Sequence, residues 1–281
     1  MKKRIFRELL ASRWAQDTFA CVGLDSNYEQ IPKTVRSNSI KRTIFEFNRA
    51  IIDATHDLVC AYKINVAFYE AYGTDGISAL IETVTYINDR ASNVPVILDA
   101  KRADVGDTSL AYVKAAFDVI KADAITVNPY LGFEALSPFL ACKDKGIFIL
   151  CRTSNPGARE FQDLHVDGVP FYQVVARNVA KWNINKNCGL VVGATYPDDL
   201  LRVRQEIGEM PILVPGIGSQ AGNLKQSVIN GVDSNGKGII VNSSRSIIFA
   251  SHGHDFAEAA RRETICLRDA INDYRNILLY F

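Results

Sequence analysis

Eight short apolar runs, each followed by a stretch of helical pattern, constrain this chain more than any other feature. The runs lie at 19–25, 58–65, 95–101, 124–128, 146–151, 188–193, 212–215 and 238–242. Between them fall amphipathic segments such as 38–57, where Ile40, Ile44, Phe47, Ile51 and Ile52 recur near helical spacing. Strands that are apolar on both faces must be covered on both faces, which a parallel sheet wrapped by helices provides. Eight such units in 281 residues fit a closed (β/α)8 TIM barrel better than an open doubly wound sheet. An apolar fraction of 48% is ample for the core this requires. A leading helix is expected at 5–15 and a long closing helix at about 256–275. No Pro- or Ser-rich linker or low-complexity stretch divides the chain, so residues 1–281 read as a single barrel domain.

Charge excludes some classes of function. Thirty-two Lys and Arg against 31 Asp and Glu leave a net charge of +1, so no broad field favours nucleic acid or an anionic membrane. Any recognition of phosphate must be local. No run approaches the ~18 apolar residues of a membrane span, and the N-terminus lacks the apolar core of a signal peptide. The six cysteines are scattered without CxxC pairs, and the chain reads as a reduced, cytoplasmic protein. None of the four histidines falls at an expected strand end, so no metal is expected.

The third run carries the densest chemistry: Asp99-Ala100-Lys101-Arg102-Ala103-Asp104, then Gly106, Asp107 and Thr108. Alternation along a strand puts Asp99 and Lys101 on one side and Ala100 on the other. Gly106 breaks the extended path, and Asp107 or Thr108 is expected to cap the next helix. Taken alone, this could be a structural ion pair. However, Asp25, Lys63, Asn65, Asp99, Lys101, Gln220 and Arg245 all fall at strand ends or in the loops after them, where barrel sites lie. Loops rich in Gly and Ser follow the last two strands, Pro215-Gly216-Ile217-Gly218-Ser219-Gln220 and Asn242-Ser243-Ser244-Arg245, at the usual phosphate position of this fold. A long segment at about 152–170 reads as an irregular lid. An ammonium flanked by carboxylates suits proton donation to a developing carbanion better than nucleophilic attack. A carboxylate beside it repels a substrate carboxylate until carbon dioxide leaves. Decarboxylation followed by protonation uses both groups without a cofactor.

These segments, with CVGLD ending at Asp25 and AYKINVAFYE around Lys63 and Asn65, resemble the orotidine 5′-phosphate decarboxylase family, in its longer-chain branch. The D-x-K-x-x-D pattern alone is shared with sugar-phosphate lyases of the same superfamily; the flanking motifs narrow it. The resemblance implies cofactor-free conversion of orotidine 5′-monophosphate to UMP and carbon dioxide, the last step of de novo pyrimidine nucleotide synthesis. It makes Lys101 the proton donor to C6 of the pyrimidine, with Lys63, Asp99 and Asp104 completing a Lys-Asp-Lys-Asp array. It implies a homodimer in which Asp104 and Thr108 complete the neighbouring site. Asp25, Lys63 and Asn65 match ribose contacts, while Gln220, Arg245 and the backbone near Ser244 match phosphate contacts. Either Thr153 or Ser154 matches the pyrimidine contact, and the 152–170 segment matches the lid over phosphate and base. A metal-dependent sugar-phosphate lyase, a Schiff-base aldolase and a non-catalytic nucleotide binder are the rival readings.

Overall fold

Each apolar run forms a strand, and the last pairs with the first to close the sheet. The computed structural model describes residues 3–218 and 223–279. The strands are β1 (Ala20–Gly23), β2 (Ala61–Asn65), β3 (Val96–Arg102), β4 (Ala124–Val127), β5 (Gly146–Arg152), β6 (His165–Val166), β7 (Val169–Pro170), β8 (Cys188–Val192), β9 (Ile212–Val214) and β10 (Ile239–Ser243). Eight of them form a closed parallel barrel in the order β1-β10-β9-β8-β5-β4-β3-β2. Their side chains are buried almost throughout, as expected of strands packed on both faces.

The leading helix, Phe6–Trp14, packs across the N-terminal end of the barrel. Phe6 meets Phe148 of β5 edge-on at 5.6 Å between ring centroids. The Arg4 guanidinium joins this end to Asp123 through hydrogen bonds of 2.7 and 2.9 Å. The opposite, C-terminal end is left open for a ligand. Helix Ile40–Thr55 starts at Ser39, whose hydroxyl accepts the Arg42 N–H. Its buried Phe47 stacks on Phe249 and on Phe256, the first residue of the closing helix Phe256–Leu279.

Two expectations are corrected. Neither Asp107 nor Thr108 caps the helix after β3. That helix runs Gly106–Lys114 with Val105 at the cap position and no capping side chain. Buried Ser109 organises the turn instead: its Oγ accepts the Asp104 N–H at 3.2 Å and contacts the Ala135 carbonyl at 2.9 Å. The helix then passes into a π-helical turn at Ala115–Val119.

The 152–170 segment is not irregular. It contains a 3-10 turn (Pro156–Ala158), a short helix (Arg159–Gln162) and the antiparallel hairpin of β6 and β7. Asp167 and Gly168, at φ 51° and 77°, form the two-residue turn, a conformation for which Asp-Gly is well suited. Buried Arg152, at the end of β5, anchors the segment. Its guanidinium lies 2.7 Å from Asp163 and 2.9 Å from Asp199. It also stacks over the Tyr196 ring at 4.0 Å.

Candidate active site

The C-terminal rim encloses a cavity of about 730 Å³, large enough for a nucleotide-sized ligand. Asp25, Lys63, Asn65, Asp99, Lys101, Thr153, Ser154, Ser244 and Arg245 all line it, so the barrel converges most of the expected residues. Gln220, the other expected phosphate contact, lies outside the described residues. Asp104 and Thr108 do not line the cavity of their own chain.

Charge is concentrated where β2 and β3 end. Register places Asn65 beside Asp99 and Lys63 beside Gly23 of β1. Asp99 Oδ1 accepts from Lys101 Nζ at 2.7 Å and from Thr126 Oγ1 at 2.8 Å, while Oδ2 accepts from Lys63 Nζ at 3.2 Å. Lys63 also lies 3.5 Å from Asp25 Oδ1. Burial by itself would raise the Asp99 pKa, but the two ammonium groups and these hydrogen bonds reverse that and hold it well below the usual carboxylate range. Burial likewise pulls Lys63 down, and Asp25 and Asp99 outweigh it, so its pKa ends above the ordinary lysine value. The result is an ionised Lys63–Asp99 pair with Lys101 on its open side, where the Lys101 side chain is 48% exposed.

Lys101 sits at an irregularity. The β3–β4 register shifts between Leu98 and Arg102, and Lys101 takes φ 50°, in the left-handed region disfavoured for a side chain. Thr126 Oγ1 accepts its N–H at 3.0 Å and fixes the kink. Thr126 carries no site role in the sequence reading. Its signal was a single hydroxyl in the apolar run 124–128, two residues before that strand's polar end.

The loops after β9 and β10 meet at one side of the cavity. Gly218, at φ 93°, approaches so closely that a Cβ there would lie 2.6 Å from Ser246 Oγ. Ser243 Oγ also reaches the Ile217 carbonyl at 3.2 Å. Thr153 and Ser154 both face the cavity. The Thr153 hydroxyl is engaged within its segment, donating to Asn155 Oδ1 at 2.7 Å and accepting from Gln162 Nε2 at 2.8 Å. Cys21 lies beneath the array; burial pushes its thiol up to about 12, so it offers no thiolate near neutrality. Among the described residues, no group of three or more His, Cys, Asp or Glu is placed to hold a metal ion. No described helix is long and apolar enough to cross a membrane.

Comparison with known proteins fits this geometry. The model of the orotidine 5′-phosphate decarboxylase / HUMPS family matches residues 20–262. A protein of Cellvibrio japonicus named orotidine 5′-phosphate decarboxylase is 46% identical over 269 residues, covering 95% of this chain and 98% of its own. A protein of the same name from an Azoarcus species is 49% identical over 273 residues, covering 96% and 99%. Among solved structures, the Leishmania donovani OMP decarboxylase matches at a TM-score of 0.82 and 39% identity, over 96% of this chain and 98% of that one. A Toxoplasma gondii structure titled as a decarboxylase of this type reaches 0.88 at 36% identity, over 99% of each chain. With its barrel and its cluster of charges at the rim, the chain is an enzyme of the orotidine 5′-phosphate decarboxylase / HUMPS family.

Proposed function

We propose that this chain decarboxylates orotidine 5′-monophosphate to UMP and carbon dioxide without metal or cofactor, completing de novo pyrimidine nucleotide synthesis. The observation that carries this reading is the Lys63–Asp99–Lys101 array within the rim cavity. In this reading ionised Asp99 opposes the substrate carboxylate. As the C6–carboxylate bond breaks, its electron pair stays on C6 and carbon dioxide leaves, which removes the repulsion. The Lys101 ammonium stabilises that carbanion and delivers a proton to C6; solvent then reprotonates the amine. Enzymes lower barriers by roughly 8–23 kcal/mol, and this reaction needs the upper part of that range. Electrostatic stabilisation at Lys101 supplies several kcal/mol. Binding of the ribose and phosphate supplies the rest by closing the 152–170 lid and assembling the site.

In this reading Asp25, Lys63 and Asn65 hold the ribose, while Gln220, Arg245 and the backbone at Ser244 hold the phosphate. Because the Thr153 hydroxyl is already engaged, Ser154 is favoured for the pyrimidine contact. Asp104 and Thr108 act in the partner's site of a homodimer. Exposed apolar residues beside them, Val105 at 55% and Leu110 at 54%, support burial of this face against a second copy. Leu131 and Phe133, about half exposed on the neighbouring β4 loop and helix, extend the same kind of surface. The direct test is product analysis: purified protein in excess EDTA should convert orotidine 5′-monophosphate to UMP in equal amount. Intact substrate would refute the reading.

A further inference from the structure

Asn242 opens the Asn242–Arg245 stretch but has no role of its own in the charge array or among the phosphate contacts, yet it lines the same cavity. It lies in β10 beside Cys21 of β1 and is only 4% exposed. Its Nδ2 faces Ser244 Oγ at 3.4 Å, but its Oδ1 is buried with no hydrogen-bond partner in the protein. The carbonyl reaches over Gly23, where a Cβ would lie 3.2 Å from it, and so sits against the end of β1 that leads to Asp25. Asp25 Oδ1, 3.5 Å from the Lys63 ammonium, is a second buried acceptor that makes no hydrogen bond. Buried polar atoms are rarely left in this state unless a ligand or water completes them. Two buried acceptors in one cavity wall, one in β10 and one just beyond β1, suit a ligand that presents hydroxyl donors, as a sugar does.

We propose that Asn242 is a sugar-binding residue whose carbonyl accepts a hydrogen bond from one ribose hydroxyl of the nucleotide, alongside Asp25. This rests on the function proposed above and adds a residue to its ribose site.

The test compares wild type with Asn242→Ala on orotidine 5′-monophosphate and on its 2′-deoxy and 3′-deoxy analogues. On the full substrate, kcat/KM should fall about tenfold or more, as for loss of one buried hydrogen bond. On the analogue lacking the hydroxyl that Asn242 accepts, the loss should shrink to within about twofold. An equal loss on all three substrates would mean that Asn242 only supports the wall, and would overturn the proposal. If the variant does not fold, a crystal structure of the wild type with UMP decides. Asn242 Oδ1 within hydrogen-bond distance of a ribose hydroxyl supports the assignment; a sugar whose hydroxyls bond elsewhere overturns it. Absence of both turnover and UMP binding in the wild type would instead refute the function itself, and this assignment with it.

Discussion

Thr126 grips Lys101 at both ends. Its Oγ1 accepts the Lys101 backbone N–H at 3.0 Å and donates to Asp99 Oδ1, which in turn accepts Lys101 Nζ. One hydroxyl thus fixes a left-handed backbone kink and the carboxylate that aims the ammonium. Removing it should misplace the proton donor without touching phosphate or ribose contacts. Thr126→Val should lower kcat about 10- to 100-fold, the equivalent of one hydrogen bond to a charged group. KM should stay within about twofold, and Thr126→Ser should recover most of the rate. Steady-state kinetics of the two variants checks this.

Asp99 links catalysis to stability. Its folded-state pKa lies below the ordinary 3.8, so its ionised form stabilises the fold at every pH above that value. That contribution is lost only as pH falls below 3.8 toward the folded value. Asp99→Asn leaves Lys63 and Lys101 facing each other and should destabilise by on the order of 3 kcal/mol near neutrality. The gap between variant and wild type should narrow below pH 3.8 in denaturation curves taken across pH. A gap that does not change with pH would show that the ion pairs are not its source.

A substrate without its phosphate should lose turnover as well as affinity, because phosphate binding closes the lid. Orotidine at saturating concentration should therefore show a much lower kcat than its 5′-phosphate. Arg245→Ala should reproduce part of that loss with the full substrate. Unchanged kcat at saturation would separate the lid from catalysis.

If Asp104 serves the partner's site, two inactive variants should rescue each other. Mixing Lys101→Ala with Asp104→Ala and allowing subunits to exchange leaves half of the dimers mixed, each with one complete site. Activity should recover to about a quarter of wild type. No recovery, with mixed dimers shown to form, would place Asp104 in its own chain's chemistry.

Much of this molecule was legible in the sequence because barrel strands are continuous apolar runs that end in polar residues. Asp99 and Lys101 were placed on one side by simple alternation; the two do pair, with Lys101 in a left-handed kink rather than in a regular strand. What was not legible depended on less periodic features. The hairpin at 165–170 has two-residue strands, too short to alternate visibly, though Asp167-Gly168 between two valines was a turn signal. The cap expected from Asp107 or Thr108 failed because Ser109, one residue further on, satisfies the turn from a buried position. The kink at Lys101 follows from the β3–β4 register shift, which no local pattern encodes. The placement of Asp104 and Thr108 away from their own cavity is a matter of tertiary geometry.

The most direct measurement follows the ultraviolet absorbance of orotidine 5′-monophosphate in excess EDTA, with wild type beside Lys101→Ala. Lys101 acting as proton donor predicts rapid loss of absorbance with wild type. The variant should be slower by at least the 10²–10⁴-fold typical of losing a general acid, with its fold intact by circular dichroism. Turnover retained by the variant, or abolished in wild type by the chelator, would contradict metal-free decarboxylation centred on Lys101.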